Sequence, residues 1–362
     1  MFITWSIIQS ALELGIIYGL VALALFLSYS MLNVCDLSTD GCYTLGCAVG
    51  SMVALAGHPV LAIPAAMLAG ALSGFVTAIL QTKFGVESLL AGIIVNTGLY
   101  TVNICIMGKS NLSMNSTVTV FTAMKDLLAD TVLADYYKLI VGVLFLVAVL
   151  VLLLLFLGTR LGLSIRATGS NPAMVRSSSI NPGRMVIIGL CISNAITALS
   201  GCLIGEYNKS CDINMGSGMV TIALASLIIG ETIIGSRGTI PLRAVGVVLG
   251  SCLYRVIVAI ALRFNLPASA LKLVSAIIVA VAIASPQIKK LIDFQQKKMA
   301  LSGRSFYRMM LLLFAALTLG CIIWAVALSA SRALAVLLGV LCLAAAVWFA
   351  LADRKVRGGK VC

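Results

Sequence analysis

The stretch NVCDLSTDG, residues 33–41, sets Asp36 and Asp40 four residues apart between two long apolar runs. Carboxylates in such a place can hold an amino group or a cation, or accept the free N–H groups of a helix start. Asp212, in NKSCDINMGSG at 208–218, has a similar setting. Two readings stay open for these acids: polar lining of a solute path, or local structure, with Asp40 capping the helix that follows it and Asp36 held in a turn. Glu13, Glu206, Glu231 and Arg255 also fall within apolar runs, where a charge costs roughly 2.5–3.5 kcal/mol at a bilayer centre on insertion scales. Arg255 is expected to pair with Glu231, and Glu13 and Glu206 lie close enough to span ends to reach headgroups or water. Asn96, Tyr100 and Asn103 recur at i, i+4 and i+7, which makes one polar helix stripe that either bonds to neighbouring helices or lines a path.

Catalytic chemistry finds little support. No nucleophile, base and orienting group stand at a recognisable spacing, and His58 is the chain's lone histidine. Gly108-Lys109-Ser110 imitates part of a phosphate loop, but Asn103 stands where the first glycine is required, and no strand and helix flank it. The chain is therefore expected to be no enzyme and to hold no nucleotide; ATP coupling must come from a partner. The eleven cysteines include no CxxC pair, and the spacing of Cys35, Cys42 and Cys47 fits no closed tetrahedral site, so no metal is expected.

The elements that must position these residues are membrane helices. Of 362 residues 61% are hydrophobic and 10% charged, with a mean hydropathy of +1.13, far beyond a soluble domain. Lipid leaves backbone groups no water to bond, so apolar runs of about 20 residues without strand alternation read as helices. The spans fall at 6–30, 41–56, 59–82, 87–108, 138–158, 184–206, 216–235, 243–262, 267–286, 309–330 and 333–352, which predicts an all-α polytopic fold with 10 or 11 membrane segments. The second and seventh are short and Gly-rich.

The formal charge of +13 is spread over loops and not gathered on one dense face, which argues against nucleic acid. No Lys or Arg precedes Lys83, whereas the loop 160–184, the turn holding Arg237 and Arg243, the loop 287–308 and the tail 353–360 are basic. The positive-inside rule puts these in the cytoplasm with the C-terminus, and the N-terminus outside. The first run lacks a basic start and a small-residue cleavage site, so it reads as a retained span.

Cys-Asp recurs at the two breaks, each followed by a short Gly-rich segment, and five spans separate the repeats. An odd number implies two halves related by inversion, the arrangement in which broken helices line a translocation path. Residues 161–185, LGLSIRATGSNPAMVRSSSINPGRM, form the longest informative polar loop. They predict a short amphipathic helix after SNP, capped by Ser170 or Asn171 with Pro172 in its first turn. Such a helix either docks on a partner protein or lies on lipid headgroups. The loop 109–137 is predicted to be external and partly ordered. Residues 301–362 read as an appended helix pair with a basic tail, beyond a transmembrane domain of residues 1–300.

GLVALALFLSYSMLNVCDLSTDGCYTLGCAV (19–49), SLLAGIIVNTGLYTVNICIMGKSNL (88–112), the sequence 161–201 and LPASALKLVSAIIVAVAIASPQIKK (266–290) resemble the permease subunits of ATP-binding-cassette importers in the branched-chain amino acid and ribose permease superfamily. Within it they are most similar to the tryptophan/tyrosine transport permease branch. The resemblance implies a bacterial plasma-membrane importer of amino acids, aromatic ones in this branch. Two permease chains, here a homodimer, sit on a dimer of ATPase subunits that bind ATP and Mg, and an external binding protein delivers the solute. It also implies that 161–185 is a coupling loop, with Arg166, Thr168, Gly169, Asn171, Met174 and Arg176 meeting the ATPase. Ser179 stands where relatives commonly have Gly, and relatives usually end near SPQIKK, so 301–362 is a departure. A stand-alone secondary transporter, or an importer of branched-chain amino acids or sugars, is the alternative.

Overall fold

The computed structural model describes residues 5–115, 117–127, 136–234 and 238–263. In chain order these form α1 (Trp5–Leu25, continued as a π-helix, Phe26–Met31), α2 (Thr39–Leu55), α3 (Pro59–Thr82), α4 (Ser88–Met107), β1 (Asn111–Ser113), α5 (Val120–Leu127), α6 (Tyr137–Gly158), α7 (Arg160–Ser170), α8 (Pro172–Ser177), α9 (Pro182–Asn208), β2 (Ser210–Asp212), α10 (Met219–Ile234) and α11 (Ile240–Arg263). Among the described residues six helices are long and apolar enough to cross a membrane: α1 with its π-helical end, α3, α4, α6, α9 and α11. The protein is thus an all-α, multi-pass membrane protein. The two short spans expected from sequence are α2 and α10, of 17 and 16 residues. The runs 267–286, 309–330 and 333–352 lie outside the described residues.

Burial sorts the helices. α1 and α9 are buried along most of their length, whereas α3, α4, α6 and α11 bury about a third. Much of the rest of their surface is apolar, with Leu68, Leu72 and Phe75 on α3 and Leu144, Leu152 and Leu155 on α6 exposed, as hydrocarbon requires. In each half a long helix breaks, a short helix follows, and a second long helix returns. The short helices pack crosswise: α2 on α9, and α10 on α1.

Lipid supplies no hydrophobic drive between helices, so close backbone approach has to supply the packing. Gly46 and Gly50 of α2 face Ala198 and Cys202 of α9, and Gly201 and Gly205 of α9 face Tyr43 and Cys47 of α2. α3 adds Gly70 and Gly74 against Asn194 and Leu190, so α9 is clasped from two sides. In the other half Gly246 and Gly250 of α11 meet Gly230 and Ser226 of α10. Each glycine pair is spaced GxxxG.

The one sheet among the described residues is an antiparallel ribbon on the loop side: Asn111 pairs with Asp212, Leu112 with Cys211 and Ser113 with Ser210. It ties the expected external loop, which also carries α5, to the second break. Glu206 secures the same loop by accepting the Val120 N–H at 2.8 Å, at the start of α5. Glu13 accepts the Tyr207 hydroxyl at 2.9 Å and the Gln9 amide at 3.1 Å. Both acids are buried, which corrects the expectation that they reach headgroups or water. Each finds protein donors instead.

Packing of this kind is intolerant of side chains. Gly201→Val should lower the Tm of the purified protein by about 5 °C or more, since overpacking against a backbone exceeds the usual roughly 1–3 kcal/mol. Gly98→Val, where nothing lies within 4 Å, should leave Tm within about 1 °C, as thermal unfolding in detergent will show.

Candidate functional site

The first break starts inside α1. Its last turns widen to a π-helix, and beyond them the Leu32 N–H reaches the Leu27 carbonyl and the Val34 N–H the Ser28 carbonyl. Asn33 then takes φ +57°, the left-handed region that Asn tolerates. The chain at this point carries non-helical backbone and a carboxylate among packed helices, and the carboxylate finds partners. Asp36 Oδ1 accepts the Ser38 N–H at 2.8 Å and the Ser38 hydroxyl at 2.6 Å, closing an Asx turn. Its Oδ2 accepts Asn194 Nδ2 from α9 at 2.8 Å. Thr77 of α3 reaches Ser38 Oγ at 3.2 Å. Asp36, 1% exposed, thus fastens the break to α9 and α3.

Asp40 lies in the first turn of α2 but does not cap that helix. Its carboxylate accepts the N–H groups of Gly218 at 2.9 Å and Val220 at 2.8 Å, so it caps α10. This corrects the expectation of a local cap. The second break brings the start of α10 against the start of α2, where the Gly216 N–H donates to Thr44 Oγ1 at 3.1 Å and a Cβ on Gly216 would overlap the Asp40 carbonyl. Free N–H groups at a helix start carry partial positive charge, which a carboxylate offsets. At Asp212 the repeat seen in sequence becomes geometry: Oδ1 accepts the Asn214 N–H at 2.8 Å, the same Asx turn that Asp36 makes. Asp212 remains partly exposed, in the β-ribbon.

The stripe on α4 divides. Asn103 is buried, and its Nδ2 donates to the Gly41 carbonyl at 3.2 Å; Asn96 also packs on Gly41. Tyr100 is 50% exposed, because the buried face of α4 runs through Val95, Leu99, Asn103 and Met107, and Tyr100 sits at its edge. The expected Glu231–Arg255 pair does not form. Glu231 bonds Arg243, and Ser30 of the π-helix contacts both, donating to Glu231 Oε1 at 2.7 Å and accepting from Arg243 at 2.7 Å. The reason is register. α10 and α11 run back to back with Gly230 on Gly246 and Ser226 on Gly250, which carries Arg255 to the level of the first turn of α10, about 18 Å along α11 from Arg243. Arg255 lies instead over the Tyr18 ring, 3.6 Å from its centroid.

The 160–177 segment is two helices. Asn171, not Ser170, is the cap of α8: its Oδ1 accepts the Ala173 and Met174 N–H groups, both at 3.1 Å, with Pro172 in the first turn. Ser170 bonds back to the Arg166 carbonyl. Asn171, Met174 and Arg176 are exposed, and Arg166 is half-buried. Thr168 is buried and bonds the Ser164 carbonyl, and Gly169 lies against Met31 and Leu32 at the first break. The segment therefore has an outer face and a face seated on the break. Ser179 adopts φ +62°, a conformation that Gly takes without penalty.

Sequence reasoning missed Asn194 and Ser38, which hold Asp36, and Arg243, which holds Glu231. The available signal for Asn194 was a lone amide within the apolar run CISNAITALSG.

The chain matches the family described as branched-chain amino acid transport system / permease component over residues 7–285. It is 33% identical over 279 residues to a tyrosine transport system permease protein of Clostridioides difficile (strain R20291), covering 77% of this chain and 90% of that one. An uncharacterized protein of Rickettsia prowazekii (strain Madrid E) is 31% identical over 63% of this chain and 78% of its own. The ribose import permease protein RbsC of Escherichia coli (strain K12) is 28% identical over 60% of this chain and 65% of its own. No solved structure matches. The relatives with a stated role are transport permeases and not enzymes.

A double-mutant cycle of Asp36→Ala and Asn194→Ala, read by denaturant or thermal unfolding, should give a coupling energy of about 1–2 kcal/mol. Asp212→Ala, at a partly exposed turn, should cost less than about 0.5 kcal/mol. Equal losses at Asp36 and Asp212 would contradict the fastening role of Asp36.

Proposed function

Because the chain belongs to the family of branched-chain amino acid transport system permease components, we propose that it is the membrane subunit of an ATP-driven amino acid importer. The observation that carries this reading is the seating of α7 on the first helix break, through Gly169 against Met31 and Leu32, with Asn171, Met174 and Arg176 left facing outward on α8. A segment of that form transmits force. It has one surface for a partner and one on the segment that leads to Asp36 and Asp40.

In this reading two ATPase subunits, holding ATP and Mg, dock on the α7–α8 segments of two copies of the chain. The chain itself binds neither. An external binding protein delivers the solute on the side of the β-ribbon. ATP-driven closure reorients the permease because the docked segment binds differently in the two states, the differential that linkage requires. Displacement of Gly169 is carried to residues 32–38, then through Asp40 to the start of α10, and through Ser30 to the Glu231–Arg243 pair at its other end. Asp36, Asp40, Asn96, Asn103 and Asp212 stand along the path as its framework. Tyr100 stands at its edge.

The membrane is the bacterial plasma membrane, with the N-terminus outside and the C-terminus in the cytoplasm. The solute class follows the Clostridioides difficile relative, whose name specifies tyrosine; similarity to a ribose permease supports a sugar as the second reading. Met174→Glu combined with Arg176→Glu, both on the exposed face, should reduce co-purification of the partner ATPase at least tenfold at matched membrane expression. Wild-type preparations that carry no ATPase would favour a stand-alone transporter.

A further inference from the structure

Every carboxylate placed within the membrane part of the described residues has partners. Glu13 is held by Gln9 and Tyr207, Asp36 by Ser38 and Asn194, Asp40 by the start of α10, Glu206 by Val120 and Glu231 by Ser30 and Arg243. Arg255 has none. It makes no ion pair and no hydrogen bond among the described residues, and its Nε is buried without a partner. Its guanidinium lies over the ring of Tyr18, which stacks on Tyr43 at 6.3 Å between centroids and 15° between planes. Tyr43 is fully buried, and its hydroxyl too has no hydrogen-bond partner. Tyr43 stands one turn along α2 from Asp40, so this cation and stack lie beside the point where the two broken helices meet.

A guanidinium in a membrane-spanning helix, with a buried Nε that has no partner, is costly, and cation–π contact with one ring recovers only part of the cost. Among the described residues no anion faces the group. A guanidinium offers a planar fork that matches two carboxylate oxygens, with the ring beneath it fixing its plane. We propose that Arg255, held on the Tyr18–Tyr43 stack, is the intramembrane anchor for the carboxylate of the transported solute. The inference rests on the importer reading for its meaning and deepens it, because a carboxylate anchor selects an amino acid over a neutral sugar. The paired amine of such a solute is not required to bind at Arg255.

The test is binding to the full purified chain in lipid nanodiscs, with three probes: L-tyrosine, tyramine, which has the same ring and amine without the carboxylate, and D-ribose. L-tyrosine should bind at least tenfold more tightly than tyramine or D-ribose. Arg255→Gln should weaken L-tyrosine at least tenfold, and Arg255→Lys, which keeps the charge but loses the fork, should fall between. Tyr18→Leu, which leaves Arg255 in place without its ring, should also weaken L-tyrosine and provides a second route should Arg255→Gln fold poorly. Equal affinity for L-tyrosine and tyramine, preference for D-ribose, or wild-type binding by Arg255→Gln would overturn the proposal. Binding in nanodiscs requires no ATPase, so absence of the ATPase from wild-type preparations would count against the importer reading alone.

Discussion

A helix that stops inside a membrane leaves N–H and C=O groups that lipid cannot satisfy, and the fold is organised around meeting that demand at two breaks. Asp40 meets it at the second. Its carboxylate sits in the first turn of α2, yet serves the N–H groups that open α10, so one side chain binds the short helix of one half to that of the other. Asp36 meets it at the first by turning on Ser38 and reaching across to Asn194. The acids that looked chemically active in the sequence are, in the folded chain, the means by which polar backbone is tolerated at the two breaks. Broken helices inside a membrane persist only while their ends are capped, and these acids do the capping.

Much of this was legible from residue types. Span positions follow from apolar run length, and the two short Gly-rich runs emerged as α2 and α10. Cys-Asp at 35–36 and 211–212 forecast a shared local form, and both aspartates close an Asx turn on the residue two positions ahead. Asn171 followed by Pro172 declared the start of α8 by the ordinary logic of caps. What failed to show was partnership across the fold. Nothing near Asp40 in sequence says that its N–H donors are almost 180 residues away, and local reasoning assigned it to the nearest helix.

The Glu231 and Arg255 expectation failed for a related reason. Opposite charges in neighbouring spans invite pairing, but which pair forms is set by the register of two antiparallel helices, and register is fixed by glycine contacts that a charge count does not contain. Once Gly230 meets Gly246, Arg243 is the cation at the level of Glu231. Arg255 is then set over Tyr18 of α1, and its lack of an acidic neighbour among the described residues follows from the same register.

The crossing of α9 with α2 and α3 carries one more consequence. Where Gly46, Gly201, Gly70 and Gly74 place backbone directly on backbone, no layer of side chains lies between the helices to change rotamer and absorb sliding. A shift of even part of a residue along such a contact would drive Cα atoms into carbonyl groups. α2, α3 and α9 accordingly form one rigid block, and the break before α2 is fastened to it through Asp36 on Asn194 and Ser38 on Thr77.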